Sequence, residues 1–185
     1  WRTRQAVARA PFVLYVTRHF LQERYPCRTA MTLACSNVQI PEPAESALQQ
    51  RRGRIEQQPS PLVIGLIGTL KTRFKGIQTL FQALAQLQPE LPAVQLRILG
   101  GGDPEPWRTE ARQYGIEHLV WFDGTRQGGQ PVYDWLDAVD VYLQPSLQEG
   151  LPRALIEAMS RGCPAIASTA GGMSELLEPA CLIEP

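Results

Sequence analysis

From Leu62 onward the chain alternates short apolar runs with amphipathic stretches, and this alternation constrains the fold more than any other feature. "LVIGLIG", "VQLRILG", "HLVWFDG", "VYLQP" and "PAIAS" are runs dominated by apolar residues and bounded by Gly, Pro or polar residues. Such runs read as strands. Between the first two, Ile77, Leu80, Phe81, Leu84 and Leu87 recur at a helical period. "EPWRTEARQYG", ended by Gly115, and "VYDWLDAVD" give two further helices. Strands that are apolar throughout are covered on both faces, and helices between successive strands impose parallel pairing. Residues 62–185, closed by "CLIEP", therefore predict an α/β domain: a Rossmann-like parallel sheet of about six strands with helices on both faces.

Upstream the pattern is fragmentary. "WRTRQAVARA" reads as a basic amphipathic helix, and "FVLYV" as a buried strand. "TRHFLQERYP" reads as a helix with Thr17 as N-cap and Pro26 as stop, and "MTLACS" as another strand. Residues 1–40 are thus expected to be the remnant of a second α/β domain. Residues 41–61, polar and bracketed by prolines, read as an interdomain linker with room for one short helix. Their "QQRRGR" run reads as a solvated face. The chain opens without Met and stops directly after a short strand, which reads as a piece of a longer protein truncated at its C-terminus.

Charge and cysteine usage narrow the function. Eighteen basic and 18 acidic residues cancel, so nothing in the net charge points to nucleic acid or to a strongly basic membrane surface. Cys27, Cys35, Cys163 and Cys181 are scattered without C-x-x-C or metal-site spacing, which reads as free thiols in a reducing cytosol. No apolar run approaches the roughly 18–20 residues of a membrane span.

In a parallel α/β sheet, ligands sit beyond the carboxyl ends of the strands. That rule selects residues 68–75, 100–106, 123–130 and 145–152. In "LQEGLPRALIEAMSRGCPAIAS" two glutamates, Glu149 and Glu157, flank a Gly-Leu-Pro turn. Pro152 suits a first helical turn, and Gly150 frees Glu149 to aim from the loop while Glu157 projects from the helix. Backbone N–H groups near residues 151–153 and the helix dipole form an anion site. Two hydroxyl-binding carboxylates around a phosphate-binding helix start match the layout of a sugar nucleotide. "GTLKTRFKG" adds Gly68 for close backbone approach, with Lys71, Arg73 and Lys75 as diphosphate-neutralising cations. "LGGGDPEP" is not G-x-G-x-x-G, so Gly100 reads as a place where a ligand lies close to the backbone rather than as a dinucleotide fingerprint.

These residues carry a family resemblance. "EGLPRALIEAM" followed by "GCPAIASTAGGMSELL" resembles the E-x7-E signature of retaining glycosyltransferases of the GT-B fold, family 4. "GTLKTRFKGIQTLFQAL", "VQLRILGGGD" and "VYLQPSLQEG" are similar to that family's preceding segments in the same order. "VLYVTRHFLQERYP" with "CSNV" resembles the end of its acceptor-side domain. The resemblance implies Glu149 as the catalytic carboxylate at the donor-sugar hydroxyls, and Glu157 on the nucleotide's ribose. It places Gly150, Leu151, Pro152 and Arg153 against sugar and diphosphate, and Lys75 on the phosphates. It implies no cofactor and no metal, in keeping with the absence of an Asp-x-Asp motif. Its partners would be a nucleotide-sugar and a saccharide or lipid-linked acceptor. Its setting would be the cytoplasm, with peripheral association of the full-length protein at the inner face of the membrane.

The chain departs from the family where Gly68-Thr69 replaces the usual Gly-Arg; Arg73 and Lys71 are the candidate substitutes. Most of the acceptor-side domain, with its glycine-rich loop and histidine, has no counterpart here. His19 and His118 read as structural. Trp107, Trp121 and Trp135 read as core or half-buried anchors, residues 122–125 as a candidate nucleobase edge, and Asp137 and Asp140 as capping or surface residues. Two alternatives fit the same residues: a sugar-nucleotide epimerase of this architecture, and a non-catalytic or degenerate nucleotide-sugar-binding fragment.

Overall fold

The computed structural model describes residues 2–28, 31–42, 45–57, 60–88, 90–91 and 93–185. Trp1 of the expected first helix, and Pro43, Ala44, Gln58 and Pro59 of the expected linker, lie outside the described residues.

The amino-terminal part holds α1 (Arg2–Arg9), β1 (Phe12–Tyr15), α2 (Phe20–Arg24) and β2 (Met31–Ala34). β1 and β2 pair in parallel, with Phe12 opposite Met31 and Leu14 opposite Leu33. The expected buried strand is buried on one side only: Val13 and Tyr15 are covered, whereas Phe12, Leu14, Met31 and Leu33 are exposed. A two-stranded sheet has side chains on both faces, and here only one face packs. The N-cap position of α2 falls on His19 rather than on Thr17, although the Thr17 hydroxyl, two residues upstream, accepts the Leu21 N–H at 2.9 Å.

The main body follows the sequence pattern. β3 (Leu62–Ile67), α4 (Ile77–Leu87), β4 (Val94–Leu99), α5 (Glu105–Gln113), β5 (Val120–Phe122), α6 (Gln130–Asp137), β6 (Val141–Gln144), α7 (Arg153–Ser160), β7 (Ala165–Ser168) and β8 (Leu182–Ile183) succeed one another, after α3 (Glu45–Glu56). The six strands are ordered β5-β4-β3-β6-β7-β8, and every adjacent pair is parallel. Period-two alternation sends the strand residues to opposite faces. Leu66, Leu96 and Ile98 pack with Ile77, Phe81 and Trp107 of α4 and α5. Val63 and Tyr142 pack with Trp135, Leu136 and Leu155 of α6 and α7.

Residues 41–61 hold the expected helix, but its "QQRRGR" run is not the solvated face the sequence suggests. α3 spans 12 residues there, and Arg51 is buried. Its guanidinium donates to the carbonyls of Val139 and of Leu136, the latter at 2.8 Å, at the carbonyl-rich end of α6. Arg54 pairs with Asp140, whose Oδ2 also accepts the Val63 N–H at 2.7 Å. Asp140 is therefore a buried brace, not a surface cap. Its neighbour Asp137 pairs with Arg161 at 2.6 Å. Trp107 and Trp135 are core residues as expected, but Trp121, on edge strand β5, is exposed. His118 precedes β5 in a single helical turn, Glu117–Leu119.

One carboxylate joins the two parts. Glu175, in the turn Met173–Glu175, accepts the backbone N–H groups of Arg18, His19 and Phe20 at 2.6, 3.0 and 2.8 Å. Burial alone would raise this carboxyl; the Phe20, Arg18 and His19 amides outweigh it and hold the group below its ordinary range.

Two predictions follow from these braces. Asp140→Ala removes the carboxylate that accepts from Arg54 and leaves the Val63 N–H without its acceptor, so urea unfolding is expected to show a loss of about 2–3 kcal/mol. Glu175→Gln should speed amide exchange at Arg18, His19 and Phe20 by about tenfold, the size of roughly one net hydrogen bond. Because the folded-state carboxyl titrates below its unfolded value, the Glu175 contribution is present above the ordinary carboxylate range. It is lost as pH falls through the lowered value, so wild-type and variant exchange rates converge in acid.

Candidate functional site

The strand order reverses between β3 and β6: β4 and β5 build outward on one side, β7 and β8 on the other. The crevice beyond such a reversal is where open α/β sheets bind ligands. A cavity of about 440 Å³ lies there, lined by Ile67, Gly68, Lys75, Gly128, Gln144, Glu149, Leu151, Pro152, Arg153, Ala154 and Glu157. Of the residues predicted from sequence, Gly68, Lys75, Glu149, Leu151, Pro152, Arg153 and Glu157 thus share one cavity.

The β3–α4 loop delivers Lys75. Its side chain lies across Gly68, where an added Cβ would come within 2.6 Å of Lys75 Cγ, so the close approach requires glycine. Lys75 Nζ meets Glu149 Oε1 at 2.5 Å, with the Glu149 side chain largely buried. The same Oε1 accepts from Ser146 Oγ at 2.9 Å and from Gln144 Nε2 at 3.2 Å. Glu149 is held in the loop after β6, outside the helix, as the Gly150 break predicts. Gly150 itself is not among the lining residues, and its carbonyl accepts the Gly172 N–H at 2.7 Å.

α7 starts at Arg153 behind Pro152, whose extended backbone ends the loop. Its first-turn amides, including that of Ala154 on the cavity wall, have no carbonyl one turn earlier inside the helix. Together with the macrodipole they give the cavity an anion-attracting wall. Glu157 sits one turn further on. Burial pushes its carboxyl up, and the Arg153 charge only partly opposes the shift.

Besides Gly150, two predicted donor residues fall outside the lining. Arg73 forks onto Glu110 at 2.7 and 3.0 Å, with its guanidinium 5.1 Å from the centre of the Trp107 ring. A carboxylate and an indole face satisfy that guanidinium away from the cavity lining. Gly100 also lies outside the lining. An added Cβ there would fall 1.8 Å from the Gly68 carbonyl oxygen, so its close backbone neighbour is the Gly68 loop rather than a ligand. Thr69, at the position of the expected arginine, bonds the Gly101 carbonyl at 3.3 Å. In residues 122–125, Asp123 pairs with Arg97 at 2.8 Å and accepts the Trp135 indole N–H at 2.7 Å. Sequence reasoning missed Gln144 and Ser146. Their signal was present: "VYLQPS" ends an apolar strand in two polar residues.

The comparisons with known proteins agree with this geometry. A family model of glycosyl transferases group 1 matches residues 61–185. Protein CapJ of Staphylococcus aureus is 31% identical over 182 residues, covering 98% of this chain and 44% of CapJ. The putative colanic acid biosynthesis glycosyltransferase WcaL of Escherichia coli K12 is 36% identical over 129 residues, covering 64% of this chain and 30% of WcaL. Among solved structures, sucrose-phosphate synthase of Thermosynechococcus elongatus superposes with a TM-score of 0.76 at 26% identity, covering 98% of this chain and 47% of that one. The chain belongs to the glycosyl transferases group 1, with the GT-B architecture, and its main body fits the carboxy-terminal domain of that architecture. It spans less than half the length of these relatives.

The raised Glu157 carboxyl yields a prediction. A carboxyl titrating above its unfolded value costs stability once ionised, so the penalty is absent below the ordinary carboxylate range and complete above the raised value. Glu157→Gln is therefore expected to melt higher than wild type at neutral pH. Thermal unfolding across pH should show that advantage vanish in acid.

Proposed function

We propose that this chain is the nucleotide-sugar-binding half of a retaining glycosyltransferase of family 4, moving a sugar to a saccharide or lipid-linked acceptor in polysaccharide or glycoconjugate synthesis. The observation that carries this reading is the convergence of Glu149, Glu157, Lys75 and the α7 start on one cavity at the β3/β6 reversal. On this reading Glu157 accepts from the ribose hydroxyls. The diphosphate lies against the first turn of α7 and Lys75, whose ammonium keeps donors beyond the one on Glu149. Glu149 receives a hydroxyl of the donor sugar.

The reaction breaks the bond between the anomeric carbon and the phosphate oxygen. The electron pair leaves with the nucleoside diphosphate, and the acceptor hydroxyl bonds to that carbon on the same face, passing its proton to the departing phosphate. Lys75 and the helix dipole stabilise the charge that develops on the leaving group. That division of labour asks for no metal ion and no cofactor. The biosynthetic role draws on the relatives, of which WcaL is named for colanic acid biosynthesis. Four unpaired cysteines support a cytoplasmic setting, with burial raising Cys163 to about 11. Peripheral association with the membrane's inner face belongs to the same reading. Residues 1–40 are then the end of the acceptor-side domain, and residues 41–61 the connection.

Calorimetry with UDP, GDP and ADP tests the reading. One diphosphate is expected to bind in the micromolar range, and Glu157→Ala to weaken it at least about tenfold, the loss of one charge-assisted hydrogen bond. A folded chain that binds none of the three would overturn it.

A further inference from the structure

Behind Glu149 lies a chain of buried polar groups whose hydrogen bonds run in one direction. The Ile67 N–H donates to the Tyr142 hydroxyl at 3.4 Å, and that hydroxyl donates to Gln144 Oε1 at 2.6 Å. Gln144 Nε2 donates to Ser146 Oγ at 2.7 Å and to Glu149 Oε1 at 3.2 Å. Ser146 Oγ donates to the same Oε1 at 2.9 Å. Tyr142 and Ser146 are 0% exposed and Gln144 is 1% exposed.

An amide has distinct ends, so the chain has a fixed sense. With Gln144 reversed, its carbonyl oxygen would face the Glu149 carboxylate, acceptor against acceptor. In the observed sense Tyr142 occupies the amide oxygen and the amide nitrogen is committed to Glu149. Lys75 adds a third donor to Oε1. All three bonds fall on one oxygen, and Oε2 carries none of them. The carboxylate is therefore fixed in rotation, with one oxygen satisfied by the protein. Gln144 also reaches the cavity wall. A buried glutamine ending an apolar strand is costly unless its bonds are made. Here each bond serves the orientation of one neighbour.

We propose that Gln144, held by Tyr142 and acting with Ser146, is a positioning residue that presents Glu149 Oε2 to the hydroxyls of the donor sugar and thereby sets which sugar is accepted. This deepens the donor-binding reading above and rests on it. A leucine at position 144 would keep the bulk, release the carboxylate's orientation and strand the Tyr142 hydroxyl.

The test separates sugar recognition from nucleotide recognition. Calorimetry on the chain measures UDP, then UDP-glucose, UDP-galactose and UDP-N-acetylglucosamine, with the GDP or ADP counterparts where wild type prefers that base. In Gln144→Leu, affinity for the free diphosphate should stay within about twofold, and the ratio between the best and worst sugar should fall about fivefold or more. Tyr142→Phe, which removes only the hydroxyl, should shift that ratio in the same direction. It also carries the test if the leucine variant does not fold. Unchanged sugar ratios in the variants would overturn the proposal, as would a wild type that binds the diphosphate without discriminating among sugars. A merely structural role would lower the melting temperature and weaken free and sugar-bearing nucleotides alike, which also overturns it. Failure of wild type to bind any diphosphate would instead strike the donor-binding reading itself.

Discussion

The chain enters its main sheet in the middle, and the site depends on that entry. β3 is laid down first; β4 and β5 extend one flank, β6 to β8 the other. The helices after β3 and β6 consequently pack on opposite faces, α4 in one core cluster and α7 in the other. Their loops part at the carboxyl edge and leave a gap between them. Lys75 reaches that gap from one loop, Glu149 from the other, and their ion pair spans it at 2.5 Å. A second tie, the Leu147 N–H on the Phe74 carbonyl at 2.8 Å, fixes the loops to each other through backbone alone. A sheet wound in one direction would give both loops to one face and leave no such gap.

The fold was legible because its central strands, β3, β4 and β6, are covered on both faces, with no exposed residue. An apolar run such as "LVIGLIG" can satisfy its backbone and cover its side chains only between helices, so parallel α/β order is written into composition and spacing. The residues around Glu149 and Glu157 were legible because a helix start and its loop are contiguous in sequence. What was not legible depends on partners far along the chain. Arg73 looks like a phosphate ligand until Glu110, 37 residues later, meets it. Arg51 and Arg54 look like a solvated run until the α6 end, some 85 residues later, collects them. A charge in sequence does not state whether its partner is a ligand, a carboxylate or a row of carbonyls. Gly100 fails for the same reason: a glycine announces close approach but not what approaches.

The two glutamates differ in how the protein treats them, and the difference bears on their roles. Glu149 has a lysine and two uncharged donors on a single oxygen, so the fold meets most of its desolvation before any ligand arrives. Glu157 has only the Arg153 charge set against its burial, and its carboxyl is raised accordingly. An immobile carboxylate suits a step in which small errors of sugar placement are costly. An under-satisfied one suits recognition. On the proposed reading, a ribose diol brings two hydroxyl donors to a half-buried carboxylate whose ionised form burial disfavours. On that reading the site is divided between a carboxylate held by three donors at the sugar and a less satisfied one at the ribose, with the α7 start and the diphosphate between them.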